Sequence, residues 1–548
     1  MGLPALAQVP FPSNYRQYQT ADSLDRGPVE SPDQVAWRRL LQRPEPAPPR
    51  TQPTPVKSLF ERPIWFTGVQ NALSQEEKLA VGLSMSAFFE YRRETYEWAN
   101  DRLLWLQEAS NAMFTFGDFK TGVLISAFPY LFGDSEVAEA ALEAIVVAGT
   151  RTVIVKHITG LERPLTAPPH VGPTLEGFLN NYPSGHSATV WAWATVLGEY
   201  YDLQWLTYPV ASFMGLTLLS RSNTHDFAEI ISGSMLGHQT GLESMRSRGW
   251  LEPRTFLSGP LEVQTDMGVD QIADSNPALQ PGGSPTYGAG RFLARTRASY
   301  ALNDDLLLQV RYDTARRVYA NLPGNNLDHN EIELRLDGRV SDEVLLGATA
   351  YRDRVRFLEL GPWGKSGTPP LFSFSTAPQF SNAFLQDVQH VGLDLHAVAM
   401  PAEDWNVGGH LFYQGDSFVP DPGLSGDTFG FALSGGTLDG QRDPGFQVHL
   451  QGGRSSASNQ FDRNFLQGGV EGRVALTHRD QIDLSAWVGT DDYPDRAVSE
   501  TYTTLTAQYS HRFGEDIWAW VGVSYEDRSA PAAGYSRTQP FFRLNGSF

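Results

Sequence analysis

Residues 331–337 read Glu-Ile-Glu-Leu-Arg-Leu-Asp, with Ile332, Leu334 and Leu336 alternating against Glu331, Glu333, Arg335 and Asp337. A period of two places the apolar set on one face of a strand and the charged set on the other. The same alternation occurs at Leu306/Leu308/Val310/Tyr312, Val391/Leu393/Leu395/Ala397, Val470/Gly472/Val474/Leu476 and Ile482/Leu484/Ala486/Val488. Tight turns separate many of these runs, at Val340-Ser341-Asp342, His478-Arg479-Asp480 and Gly514-Glu515-Asp516. Longer glycine-rich and polar stretches, Gly361 to Asn382 and Gly415 to Gly440, interrupt them elsewhere.

Strands of about ten residues, with short turns at one end and long loops at the other, suit an antiparallel transmembrane β-barrel whose charged face lines the lumen. About twelve strands are expected over residues 289–548. The chain ends Phe541-Phe542-Arg543-Leu544-Asn545-Gly546-Ser547-Phe548, which resembles the C-terminal strand of bacterial outer-membrane proteins. That resemblance implies outer-membrane lipid around the strands and contact with the barrel-insertion machinery during biogenesis. A soluble β-sandwich also alternates, but it has no need of so many charges on one face.

Upstream the period changes. Residues 1–63 read as an extended arm with a proline-rich run from Pro44 to Pro55, since proline lacks the N–H that regular structure uses. Within it, Ala5-Leu6-Ala7 before Gln8 has the small-x-small pattern of a trimmed export signal, or is an arbitrary alanine-rich start. From Ser74, which forms a capping box with Glu77, the apolar residues recur at helical spacing to about Leu106. Met113–Phe132 and Val137–His157 follow as helices, the second starting near Asp134-Ser135, and two more begin near Ser184 and His225. Leu203 to Ser220 lacks charge but is broken by Pro209, so it reads as a buried helix rather than a membrane span. An all-α domain over 64–250 is expected, then a linker over 251–288 rich in proline, glycine and aspartate. The whole is an α + β multidomain chain: a helical bundle followed by a barrel.

A formal net charge of −20 excludes a general nucleic-acid binder, because phosphate backbones need basic surface. The chain has no cysteine, which excludes thiolate metal sites and disulfides and leaves the compartment open.

Three clusters in the helical region carry chemistry. Lys156 is followed after six residues by Arg163-Pro164; Pro183-Ser184-Gly185-His186 opens a helical run; Ser220-Arg221 precedes His225 and Glu229. Lys156, Arg163 and Arg221 can surround the oxygens of a phosphate and stabilise charge that spreads over them. Ser184 and the N–H groups near Gly185 add a cradle at a helix start, where the macrodipole favours an anion. Taken singly, Lys156 or Arg163 reads as a solvated surface charge, and His186 or His225 as a helix-capping or hydrogen-bonded core histidine. His157, His170 and His238 fit no such role and are read as structural, and Asp226 as a helix-start charge.

In this order the clusters resemble the type 2 phosphatidic-acid phosphatase superfamily, which includes soluble acid phosphatases and vanadium haloperoxidases. Its pattern is Lys-x6-Arg-Pro, Pro-Ser-Gly-His and Ser-Arg-x5-His-x3-Asp. The first two are complete here; the third is two residues shorter between Arg221 and His225 and carries Glu229 in place of aspartate. The resemblance spans about 75–245. It implies that His225 is the nucleophile forming a phosphohistidine, Glu229 its orienting partner and His186 the acid and base. Lys156, Arg163, Ser184, Gly185 and Arg221 would bind phosphate, with no cofactor and no metal. A longer side chain at 229 is expected to loosen the orienting contact.

The expectation is a metal-independent phosphatase acting on a phosphorylated lipid or other phosphomonoester or pyrophosphate. It would be anchored in the outer membrane with the helical domain in the periplasm. The alternatives are a vanadate-dependent haloperoxidase, and a pore or receptor whose helical domain is inactive.

Overall fold

The computed structural model describes residues 118–159, 182–219 and 225–251 of the helical region, with isolated positions between 79 and 110. It also describes barrel segments 261–274, 287–319, 327–357, 387–402, 405–419, 426–437, 445–457, 462–494, 498–513, 517–529 and 535–547. The helix expected from Ser74 to Leu106, the N-terminal arm, Arg163, Arg221, His170 and Phe548 lie outside a continuous description.

Five helices are described: α1 (Phe119–Ser126), α2 (Ser135–Thr159), α3 (Gly185–Tyr200), α4 (Gln204–Leu219) and α5 (Phe227–Ser247), with a 3-10 turn over Phe128–Phe132 between α1 and α2. The expected Met113–Phe132 helix is thus divided: Pro129 near the start of the 3-10 turn and the left-handed Gly133 after it end the first element, as proline and glycine do at helix boundaries. The core is unusually rich in alanine. Ala140, Ala141, Ala144 and Ala148 of α2 meet Ala188, Ala192 and Ala194 of α3, with Ile145, Val196 and Met245 between them. Small side chains let the helix axes approach closely, so the backbone itself contributes much of the contact surface.

Helix α4 is only half buried, unlike the expectation. Ala211, Met214, Leu218 and Leu219 face inward, while Trp205, Leu206, Val210, Phe213 and Leu216 are exposed. Among the described residues no helix is long and apolar enough to cross a membrane.

Fourteen antiparallel strands form a closed barrel. They are β1 (Leu261–Asp274), β2 (Tyr287–Asn303), β3 (Leu306–Tyr319), β4 (Leu327–Ser341), β5 (Val344–Phe357), β6 (Asp387–Ala402), β7 (Trp405–Val419), β8 (Gly426–Thr437), β9 (Gly445–Ala457), β10 (Arg463–Ala475), β11 (Asp480–Tyr493), β12 (Val498–Phe513), β13 (Ile517–Ser529) and β14 (Tyr535–Ser547). Closure excludes the sandwich, which would leave free edges. Fourteen replaces about twelve, and two strands lie in stretches read as linker and loop. β1 falls inside 251–288, where Thr265 and Gln271 dilute the apolar alternation; β8 falls inside Gly415 to Gly440, where glycines hide Phe429, Phe431 and Leu433.

Leu393, Leu411, Phe429, Leu433, Val470, Leu484, Val488, Leu505 and Val521 stand exposed on the outer wall. The opposite face carries ion pairs between strands: Asp270 with Arg291 and Arg543, Arg295 with Asp313, Arg311 with Glu331, and Arg528 with Asp491 and Glu500. The alternation first read at 331–337 thus separates an apolar outer wall from a charged lumen. Short connections such as Asp304-Asp305 and Asp342-Glu343 lie at one end, and the interval 358–386 at the other. The chain enters β1 at the short-turn end, since Leu261 pairs with Tyr300 three residues before β2 ends.

One sector of the outer wall is not exposed. Val263, Thr265 and Val269 of β1, Phe292, Ala294 and Thr296 of β2, and Tyr312 of β3 are all buried. Tyr182, which precedes the first turn of α3, meets Phe292 edge-on at 5.8 Å between ring centroids. The helical region therefore touches the barrel along its flank.

Candidate active site

Two helix starts and one helix end converge. Ser184 is the N-cap of α3, and its Oγ accepts from the Ser187 backbone N–H at 3.4 Å and from Ser187 Oγ at 3.2 Å. Asp226 caps α5, its Oδ1 accepting from the Glu229 N–H at 2.8 Å; it has the helix-start role expected of it. The Ser184 N–H donates to the Glu229 carbonyl at 3.0 Å, which locks the two starts together. At the end of α2, Thr159 Oγ1 donates to the Tyr182 carbonyl at 3.3 Å. One turn before Lys156, the Thr152 methyl lies 3.7 Å from the position a Cβ would take on Gly185.

His225 and Glu229 face each other across one helical turn. Nδ1 of His225 is 2.8 Å from Glu229 Oε2, and both residues are buried, at 4% and 1% exposure. A carboxylate opposite Nδ1 keeps a proton there, so Nε2 presents its lone pair. That Nε2 lies 3.5 Å from Ser184 Oγ, and the His186 ring centroid is 6.3 Å from that of His225. The glutamate reaches its partner at full hydrogen-bond distance, so the looser contact expected of the longer side chain is not seen. Lys156 is buried in the last turn of α2. Ser184, Gly185, His186, His225 and Glu229 are thus brought together, with the end of α2 beside them; Arg163 and Arg221 lie outside the described residues.

The close approach has a cause that motif reading missed. Gly233, Gly237 and Gly241 form a stripe at four-residue spacing on α5, facing α3. A Cβ on Gly233 would stand 2.2 Å from the Ser184 carbonyl oxygen, and one on Gly237 2.2 Å from that of Ala188. Glycine at each step lets the backbones touch, as small-residue stripes do between closely packed helices. The four-residue glycine period was the available signal.

Residues 139–252 match the family model of the PAP2 superfamily. The match begins within α2, runs through α5 and includes none of the barrel. Among curated proteins, none matches the chain. The barrel is similar in fold to OmpT, an outer membrane protein of Vibrio cholerae (10% identity, 53% of this chain and 97% of that one, TM-score 0.34). It is also similar to an anion-selective porin from Comamonas acidovorans (9% identity, 53% and 99%, TM-score 0.30). A FadL homologue of Pseudomonas aeruginosa gives 12% identity, 54% and 91%, and a TM-score of 0.29. The strand ladder, rather than these likenesses, establishes the closed wall.

Two other histidines of the bundle make hydrogen bonds within it. His157 Nδ1 lies 2.7 Å from the Val153 carbonyl, and His238 Nδ1 lies 2.8 Å from Thr195 Oγ1 beside Trp191 and Tyr208. Two buried ion pairs, Arg151–Glu243 at 2.8 Å and Arg248–Glu143 at 2.5 Å, join α2 to the far half of α5.

Proposed function

We propose that the chain is a phosphatase that removes phosphate from a lipid phosphomonoester or pyrophosphate, held at the outer membrane by its own barrel. The observation that carries this reading is the His225–Glu229 pair at 2.8 Å, which turns Nε2 towards the Ser184 and His186 side of the site. His225 Nε2 attacks phosphorus and forms an N–P bond as the P–O bond to the alcohol breaks. His186 gives its proton to the departing oxygen. Water then attacks phosphorus, yielding its proton to His186, and the N–P bond breaks to release inorganic phosphate. Lys156, with Arg163 and Arg221, neutralises the equatorial oxygens, and the N–H groups at the start of α3 add donors aimed at the same charge. No step calls for a metal.

A lipid substrate is favoured by the setting. The Tyr182–Phe292 contact holds the segment before Ser184 against the barrel flank, and α4 presents an exposed apolar face. Barrels of this architecture carry their short turns on the periplasmic side, and β1 begins at that end. Tethering raises the local concentration of enzyme at the lipid without adding affinity.

The test uses the full chain in detergent micelles with EDTA present. Phosphate release from phosphatidic acid that falls to background in His225→Ala supports the reading, and activity unchanged in that variant overturns it. Halide oxidation with vanadate and peroxide, without phosphate release, would instead favour the haloperoxidase.

A further inference from the structure

The barrel wall carries a second constellation, remote in sequence from the helical motifs. Asp394 and His396 sit two residues apart on the luminal face of β6, and His410 of β7 is the direct cross-strand partner of His396. Asp394 Oδ1 lies 3.4 Å from His396 Nδ1 and 3.0 Å from His410 Nδ1. One donor atom from each residue can be chosen so that all lie within 4.8 Å of one another. The two rings are 5.6 Å apart between centroids and inclined by 30°.

The far side of His396 is held. Its Nε2 is 2.8 Å from Asp337 Oδ1, and neither side chain is exposed. Asp337 is itself gripped by Arg335 at 2.7 Å and by Gln309 Nε2 at 2.9 Å. Gly347, opposite His396 on β5, makes room for the ring: a Cβ there would lie 2.3 Å from Nε2. A carboxylate that fixes one imidazole nitrogen leaves the other turned towards a ligand, the arrangement found around metal-bound histidines.

We propose that Asp394, His396 and His410 bind a first-row transition-metal ion in the barrel lumen, with Asp337 positioning His396. Two imidazole nitrogens and one carboxylate suit Zn2+, Ni2+, Co2+ or Cu2+, and disfavour Mg2+ and Ca2+, which take oxygen donors. An ion about 2.1 Å from each donor sets neighbouring donors about 3.0 Å apart in octahedral and about 3.4 Å in tetrahedral geometry, and both Asp394 distances fall there. The His410 side chain is 25% exposed, so the ion would keep a side open to lumen water or a small ligand. Bound there, the ion ties β6 to β7 and, through Asp337, to β4.

Full-length protein in detergent, stripped with a chelator and then dialysed against Zn2+ or Co2+, provides the test. The expected result is one ion per chain and a Co2+ visible spectrum of nitrogen–oxygen coordination. Affinity should fall about tenfold or more in His410→Ala and Asp394→Asn and stay unchanged in His225→Ala, which reports on the helical domain. Heat-modifiable migration on gels confirms that each variant retains its barrel. Binding at wild-type level in both luminal variants, or no stoichiometric binding in the wild type, overturns the site. Neither result bears on phosphatase activity, which is measured with EDTA present.

Discussion

The α-carbon of Gly233 faces the carbonyl oxygen of Ser184 so closely that an added Cβ would stand 2.2 Å from it. This contact sets the distance between the two motif-bearing helix starts, because the Ser184 N–H is bonded to Glu229 one turn earlier on α5. Gly233→Ala should push α5 from α3 and destabilise the bundle by about 1–3 kcal/mol, the usual cost of overpacking. Thermal melting followed at 222 nm, together with phosphate release, reads both effects. Ser234→Ala, one position along the same helix, is the control and should melt near wild type.

Shortening the orienting acid should be felt in turnover rather than in binding. Glu229→Asp withdraws the carboxylate from a 2.8 Å contact with His225 Nδ1, and a hydrogen bond to a charged group is worth about 1.5–3 kcal/mol. The expected outcome is a fall in kcat of about ten- to a hundredfold with KM little changed. An equal kcat in Glu229→Asp would mean that the pair does not orient the imidazole.

Removing the buried cation beside the cradle should act on the charge that develops during transfer. Lys156→Met keeps the length of the stem and deletes the ammonium, and loss of one such stabilising group costs about a hundred- to a thousandfold in kcat. Steady-state kinetics on phosphatidic acid give the answer. A rise in KM alone would assign Lys156 to substrate docking.

The contact between bundle and barrel can be tested chemically because the chain has no cysteine. Tyr182→Cys with Phe292→Cys, whose native rings are 5.8 Å apart, should be joined in high yield by a short bis-thiol reagent. The cross-linked band must vanish when either cysteine is omitted. Failure to cross-link would separate the bundle from the wall.

Alkaline pH should loosen the junction of α2 and α3. Tyr201 donates to Asp134 Oδ2 at 2.7 Å, and its phenol is pushed up to about 12, by burial first and then by that hydrogen bond and the Asp134 charge. The folded state therefore favours the protonated phenol. Its contribution is whole below the ordinary tyrosine value of about 10 and is lost as pH rises from there to about 12. Tyr201→Phe should lower stability at pH 8 and flatten the alkaline limb of a melting-temperature profile.

Much of this architecture could be read from the chain. Pro183-Ser184-Gly185-His186 announced a helix start because capping needs a short oxygen-bearing side chain, and Ser184 caps α3. The run at 331–337 separated outer wall from lumen because a period of two puts its apolar and charged residues on opposite faces of the sheet. Other features depend on pairing that a linear reading does not supply. β1 faces Thr265 and Gln271 outward, so its alternation is weak, and closure against β14 is what makes it a strand. Asp394, His396 and His410 belong to no motif in the sequence, and only the register setting His396 opposite His410 gathers them. The glycine stripe of α5 was visible as a period but gained meaning from the α3 carbonyls it meets.

β1 finds its second neighbour only in β14, the last 13 residues described, where Arg543 reaches back to Asp270. Synthesis supplies these two edges at opposite times, so a nascent sheet must wait with an unsatisfied rim that invites foreign strands. A sheet that lacks β14 leaves the β1 edge unpaired, open to foreign strands and to proteases.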